Sequence, residues 1–170
     1  LLHRGRFLMA VLVTRPEDAS RRTAARLEAL GFEAVPAPLL DLEFTVPEHL
    51  IGEASPDGVI ITSANGANAV AGHPDLSRLT KLHVWTVGTR TTDAAREIAF
   101  GAPVFEEPDA VSLGARLSDA PPQRLLYLAA EQRSGDFSRL AAKHEIDIRV
   151  VYRALAKTKF PAEGAAAVSA

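Results

Sequence analysis

The chain has 170 residues, 47% of them hydrophobic, with 19 Lys and Arg against 21 Asp and Glu for a net charge of −2, and it contains no cysteine. That length suits one ordinary domain or two small ones, and an apolar content drawn from Ala, Val and Leu more than from aromatics can bury a core and excludes disorder for most of the chain. The near-neutral charge gives no broad field for nucleic acid or an anionic membrane, and the lack of thiols excludes disulfides, thiolate nucleophiles and Cys-based metal sites while fitting a reducing cytosol.

In chain order, residues 1 to 8 are expected to add little to the fold, because Met9 directly precedes the first strand. The apolar stretch from Phe7 to Val13 is too short and too strand-like for a membrane span or signal peptide. No targeting segment is read, and a cytoplasmic location is expected. Ala10 to Val13 reads as a strand ending in Thr14, Arg15 and Pro16. A helical pattern follows through Ala19, Thr23, Leu27 and Leu30, closed by Gly31 as C-cap. Phe32 to Val35 is a second strand. Pro36, Pro38 and Pro47 then mark an extended connection, since proline disfavours helix on both sides, and a domain boundary is placed there.

From Asp57 the alternation is regular. Strands are expected at Val59 to Thr62, His83 to Val87, Pro103 to Phe105, Leu125 to Leu128 and Ile148 to Tyr152, with helices between them at Asn65 to Ala71, Arg90 to Phe100, Val111 to Ser118 and Asp136 to His144. Such alternation specifies a parallel sheet covered on both faces, a flavodoxin-like three-layer α/β sandwich. After Arg153 to Lys159, Phe160 and Pro161 open an Ala-rich helix with proline in its first turn. The domain reading is a βαβ part of a first domain at 9–38, a linker at 39–47, a second domain at 48–150, a return linker at 151–160, and at 161–170 the start of the remainder of the first domain, which is expected to be incomplete.

Ligands of open parallel sheets bind beyond the carboxyl ends of the strands, where loops feed helix N-termini. Three turns qualify. In Thr62, Ser63, Ala64, Asn65 and Gly66, short side chains let a carboxylate or phosphate approach backbone N–H groups. Ser63 or Asn65 acting only as an N-cap is the alternative, and it stays open. Gly88, Thr89, Arg90, Thr91 and Thr92 follow the same logic with one guanidinium added, and capping is again the alternative. In Glu131, Gln132, Arg133, Ser134 and Gly135, Arg133 could hold a carboxylate bidentately or simply be a solvated arginine.

Other chemistry has little support. His3, His49, His73, His83 and His144 are scattered, with no i, i+4 pair, and no Walker A loop, G-x-G-x-x-G or G-x-S-x-G elbow is present. Glu106, Glu107 and Asp109 around Pro108 read as a turn-forming acidic surface cluster, and Trp85 and Phe100 as core.

In order along the chain, V-L-V-T-R-P (Val11 to Pro16), I-I-T-S-A-N (Ile60 to Asn65), V-G-T-R-T-T (Val87 to Thr92), E-Q-R-S-G-D (Glu131 to Asp136) and V-V-Y-R (Val150 to Arg153) resemble the uroporphyrinogen-III synthase family. The resemblance implies two α/β domains in a HemD-like architecture, joined by a two-stranded linker, with a linear tetrapyrrole, hydroxymethylbilane, in the cleft between them. It implies loss of the terminal hydroxyl, attack on the substituted carbon of ring D, a spiro intermediate and reclosure with that ring inverted, with no metal or organic cofactor. Thr62, Ser63 and Asn65 match a substrate turn, Thr89 and Thr91 a second one, and Thr14, Arg15, Arg90 and Arg133 complete the candidate substrate-binding set.

Tyr152 matches the linker tyrosine that assists hydroxyl departure, a phenol being a neutral donor at pH 7; a packed linker ring with a wet hydroxyl is the alternative. Ala130 stands where the family often has glycine, and His144 and Glu145 replace a small residue and glycine. A monomer is expected. The competing readings are a flavodoxin-like FMN-binding protein, with the Thr89 to Thr92 turn around a phosphate, and a truncated, non-catalytic family member. A phospho-receiver lacks the clustered aspartates that would hold Mg²⁺.

Overall fold

A computed structural model describes residues 10–101, 104–133, 137 and 142–169. The helix expected at Asp136 to His144 falls largely outside these residues. By its contacts the chain divides into two units, one made of the residues up to Glu43 together with those from Ala154 onward, the other of Phe44–Arg153.

In the first unit, β1 (Ala10–Val13) and β2 (Glu33–Pro36) pair in parallel around α1 (Glu17–Ala29). Small residues make the helix face that meets the strands: Ala19, Ser20 and Ala24 are buried. The fully buried Ser20 hydroxyl lies 2.9 Å from the Val13 carbonyl and 2.5 Å from that of Arg15, tying the start of α1 to the end of β1. Gly31 ends the helix with φ +89°, the left-handed conformation glycine adopts without penalty, and the N–H groups of Gly31 and Phe32 bond the carbonyls of Glu28 and Leu27.

The connection expected through Pro36 to Pro47 contains a strand, β3 (Leu40–Phe44). In the second unit, β4 (Gly58–Ile61), α2 (Ala64–Ala69), α3 (Leu76–Leu79), β5 (His83–Val87), α4 (Thr89–Glu97), β6 (Val104–Glu107), α5 (Ala110–Asp119), β7 (Arg124–Ala130) and β8 (Glu145–Ala156) follow in sequence. The chain returns to the first unit in α6 (Ala162–Ser169), where a Cβ on Gly164 would fall 2.8 Å from that of Ala37.

The six-stranded sheet has the order β3-β8-β7-β4-β5-β6. From β8 to β6 every neighbouring pair is parallel. The three-layer parallel architecture expected from the sequence is therefore present. Counted within the unit, its strand order is 3-2-1-4-5, which alternation alone does not distinguish from the 2-1-3-4-5 of flavodoxin. The return linker expected at 151–160 is mostly strand, because β8 runs on to Ala156. The Thr45 N–H bonds the Val151 carbonyl at 3.0 Å, and the Lys157 N–H that of Leu39 at 2.8 Å.

All four residues of β4 are buried, as are Leu125 to Ala129 of β7, which explains why these central strands read as continuous apolar runs. One face of the sheet packs Ile60, Trp85, Leu125 and Tyr127 against Leu113 and Leu117 of α5 and against Phe137. Each aliphatic side chain so buried contributes about 1.5–3 kcal/mol. Asp109, within the expected acidic cluster, caps α5 by accepting the Ser112 N–H at 2.7 Å, and this bond holds its carboxyl below the usual range.

Asp75, just before α3, accepts the N–H groups of Leu50 and Ile51 at 2.9 and 3.3 Å. Burial works to raise its pKa, but these bonds, with His73 and Arg78 nearby, leave it lowered. A carboxylate whose folded pKa is depressed stabilises above the unfolded value of about 3.9, and that contribution is lost as pH falls through the folded value. Urea unfolding of Asp75→Asn and the parent chain should therefore differ at pH 7 and converge as the pH is taken below about 4; a constant gap would refute the tether.

Candidate functional site

Chain direction across the sheet reverses between β4 and β7, since β5 and β6 lie to one side of β4 and β7 and β8 to the other. At such a switch point successive crossovers lie on opposite faces and leave a crevice at the carboxyl edge. Thr62 leaves β4 at this edge, and its Oγ1 lies 2.9 Å from the hydroxyl of Tyr127 on β7. Tyr127 is 3% exposed, with its ring edge-on to Phe137 at a centroid distance of 5.3 Å. Burial pushes its phenol up, against the pull of the Thr62 hydrogen bond and the Arg133 charge, while Tyr152 adds a smaller upward push.

Of the residues that the sequence places in three separate segments, Thr62 is thus bonded to Tyr127, and Arg133 and Tyr152 lie within electrostatic reach of its phenol. Sequence reasoning missed Tyr127, whose one signal is a lone hydroxyl within the aliphatic run L-L-Y-L-A-A. Tyr152 itself is 9% exposed. Its carbonyl accepts the Glu131 N–H at 2.9 Å, and the β7 to β8 register shifts between Ala129 and Ala130, so that Val150 faces Ala129 and Tyr152 faces Ala130. A bulge of this kind re-aims side chains at a strand end.

The capping role of Ser63 is observed: its hydroxyl accepts the Asn65 N–H at 3.2 Å at the start of α2. That bond uses the oxygen as acceptor and leaves the O–H to donate. Asn65 is half-buried beside it, and Gly66 lets α2 approach the sheet, since a Cβ there would lie 3.1 Å from the Leu128 carbonyl.

On the neighbouring strand Gly88, with φ +76° and ψ 149°, turns the chain into α4, a backbone state essentially confined to glycine. Thr89 and Arg90 are exposed in the first turn of α4. Thr91 and Thr92 face inward at 5% and 1% exposure, and the Thr92 Oγ1 lies 2.7 Å from that of Thr86. The two inner threonines therefore pack the helix onto the sheet.

Arg133 is exposed, with its Nη1 donating to the Ala130 carbonyl at 3.4 Å. Thr14 and Arg15 belong to the first unit. Both are exposed; the Thr14 carbonyl accepts the Leu39 N–H, and the Arg15 guanidinium reaches the Thr23 hydroxyl at 3.5 Å.

Among the described residues no helix is long and apolar enough to cross a membrane, and no cluster of His, Asp and Glu could hold a metal ion.

Fold and site define a doubly wound α/β protein whose hydroxyl-rich groups converge at the carboxyl edge of the sheet, on the switch point. Residues 21–169 match the family model described as uroporphyrinogen-III synthase HemD, and the chain belongs to that family. Solved structures share its fold, among them two from different bacteria. The uroporphyrinogen III synthase of the extreme thermophile Thermus thermophilus, in mutant form, superposes with a TM-score of 0.60 at 17% identity over 88% of this chain and 63% of its own. The uroporphyrinogen-III synthetase of Helicobacter pylori gives 0.59 at 17% identity over 93% of this chain and 67% of its own. The chain therefore spans less than two thirds of the Thermus enzyme. A search of curated proteins gave no match.

Proposed function

We propose that this chain works as a uroporphyrinogen-III synthase, cyclising hydroxymethylbilane with inversion of ring D and release of water, as a cytoplasmic, cofactor-free monomer. The observation that carries the reading is the Thr62–Tyr127 hydroxyl pair at the switch point, with Arg133 and Tyr152 within electrostatic reach of it, in a chain of this family.

The substrate is a flexible polycarboxylate, and the groups at this edge suit carboxylates. The hydroxyls of Thr62 and Ser63 donate single bonds, Arg133 offers a charged fork, and Thr89 and Arg90 stand on the adjacent strand end. Such contacts fix the chain ends near each other, and orientation of this kind supplies much of the rate in an intramolecular closure. Tyr152 donates its phenolic proton to the departing hydroxyl, which leaves as water; the substituted carbon of ring D attacks the carbon so exposed to form the spiro intermediate, whose other bond to that ring carbon breaks and re-forms at its free neighbour with ring D inverted, and the proton displaced there returns to the phenolate.

The test is an assay supplying hydroxymethylbilane and resolving the type I and type III porphyrins after oxidation. Type III isomer is expected above the spontaneous background. Type I isomer alone, formed at the uncatalysed rate, would refute the assignment.

A further inference from the structure

We propose that Tyr127 is a positioning residue of this site, orienting the Thr62 hydroxyl as a hydrogen-bond donor toward a carboxylate of the substrate. The inference rests on the reading of the site given under Proposed function. Tyr127 cannot meet a substrate itself, being 3% exposed with its ring held edge-on to Phe137. Its one described route to the site is the 2.9 Å contact with Thr62, which is only partly buried.

In a pair of hydroxyls the more acidic member is the better donor, and a phenol, at about 10, is far more acidic than an alkyl hydroxyl. Tyr127 O–H therefore donates to Thr62 Oγ1, and the Thr62 hydrogen is left for another acceptor. The chain from Tyr127 through Thr62 to a carboxylate polarises in one sense, each bond strengthening the next. An ionised Tyr127 would reverse it by turning from donor to acceptor. A phenol is neutral at pH 7 in any case, and burial raises Tyr127 further, outweighing the Thr62 bond and the Arg133 charge, with Tyr152 acting in the same direction as burial. The direction of the Thr62 hydrogen bond is thus set from inside the sheet.

The experiment uses the full chain with Tyr127→Phe, Thr62→Val, Thr62→Ser and the double variant Tyr127→Phe/Thr62→Val. The chain has two tyrosines, Tyr127 and Tyr152, so in a Tyr152→Phe background alkaline absorbance titration follows Tyr127 alone. Adding Thr62→Val should move that midpoint upward, because on ionisation Thr62 turns to donate to the phenolate, a charge-assisted bond stronger than the neutral one it replaces; an unmoved midpoint overturns the pairing. Uroporphyrin, an eight-carboxylate tetrapyrrole, serves as the binding probe through quenching of the one tryptophan, Trp85.

Tyr127→Phe and Thr62→Val should each raise Kd by about tenfold, the double variant no further than either, and Thr62→Ser should keep the parent value. Unchanged affinity in Tyr127→Phe, or additive losses in the double variant, would overturn the proposal. Failure of the parent chain to bind uroporphyrin would overturn the site reading and this inference with it, and the phenol titration distinguishes that outcome from a failure of the pair. If Tyr127→Phe does not fold, Thr62→Val still carries both measurements.

Discussion

Tyr152→Phe is expected to lower the turnover of hydroxymethylbilane about 100-fold, with the melting temperature and KM close to those of the parent chain. The substitution removes one oxygen and keeps the ring. Because Tyr152 is 9% exposed, most of what it contributes to stability is ring packing, which Phe retains. Its backbone is fixed independently, by the bond from Glu131 and the register shift beside Ala130, so the strand end has no reason to move. What is lost is a proton donor at the departing hydroxyl, the step where general acid help matters most. Initial rates of type III isomer formation check this. A turnover within twofold of the parent would assign the proton transfer elsewhere, whereas equal losses of rate and soluble protein would make Tyr152 a packing residue.

Trp85→Ala should destabilise the chain by about 3–5 kcal/mol, measured by urea unfolding. Trp85 is 5% exposed and stacks on Phe105 at 4.4 Å, with His83 edge-on at 5.8 Å and the Arg116 guanidinium 5.7 Å from its ring centre. Arg116 is held there by its ion pair with Glu107, so truncation takes away a wall of the core and the support of a surface pair together. Against a typical total of about 5–15 kcal/mol, that is a large share. Trp85→Phe should be far milder. Among the described residues the buried indole Nε1 has no hydrogen-bond partner, and an unpaired polar group of this kind costs about 1–3 kcal/mol, which Phe would not bear. A loss below about 1 kcal/mol in Trp85→Ala would show that the aromatic stack is not a core element.

The alternation of buried strands and helices was legible because each central strand is apolar along its whole length, as in the G-V-I-I of β4. The strand β3 was not, because three prolines around it dominate the local signal while its partner, β8, lies about a hundred residues away in sequence. Within the site, Thr62, Arg133 and Tyr152 could be named from their segments, but nothing local says that each acts on the phenol of Tyr127. Tyr127 went unseen for a related reason: its ring obeys the apolar pattern of β7, and only cross-strand register brings its hydroxyl to Thr62. Thr91 and Thr92 show the converse. Sequence marks them as hydroxyl-bearing, and the rotation of α4 turns them inward.

The first unit is discontinuous, its pieces separated by the whole of the second. During synthesis β1, α1 and β2 leave the ribosome long before α6 exists to cover them, so Val11 and Phe32, exposed in the structure, join a larger apolar surface that waits for its partner. The second unit, one unbroken segment, can collapse as soon as β8 emerges. Assembly should run from the inside outward, and a chaperone acting on the nascent chain would find its binding sites in the first forty residues rather than the later ones.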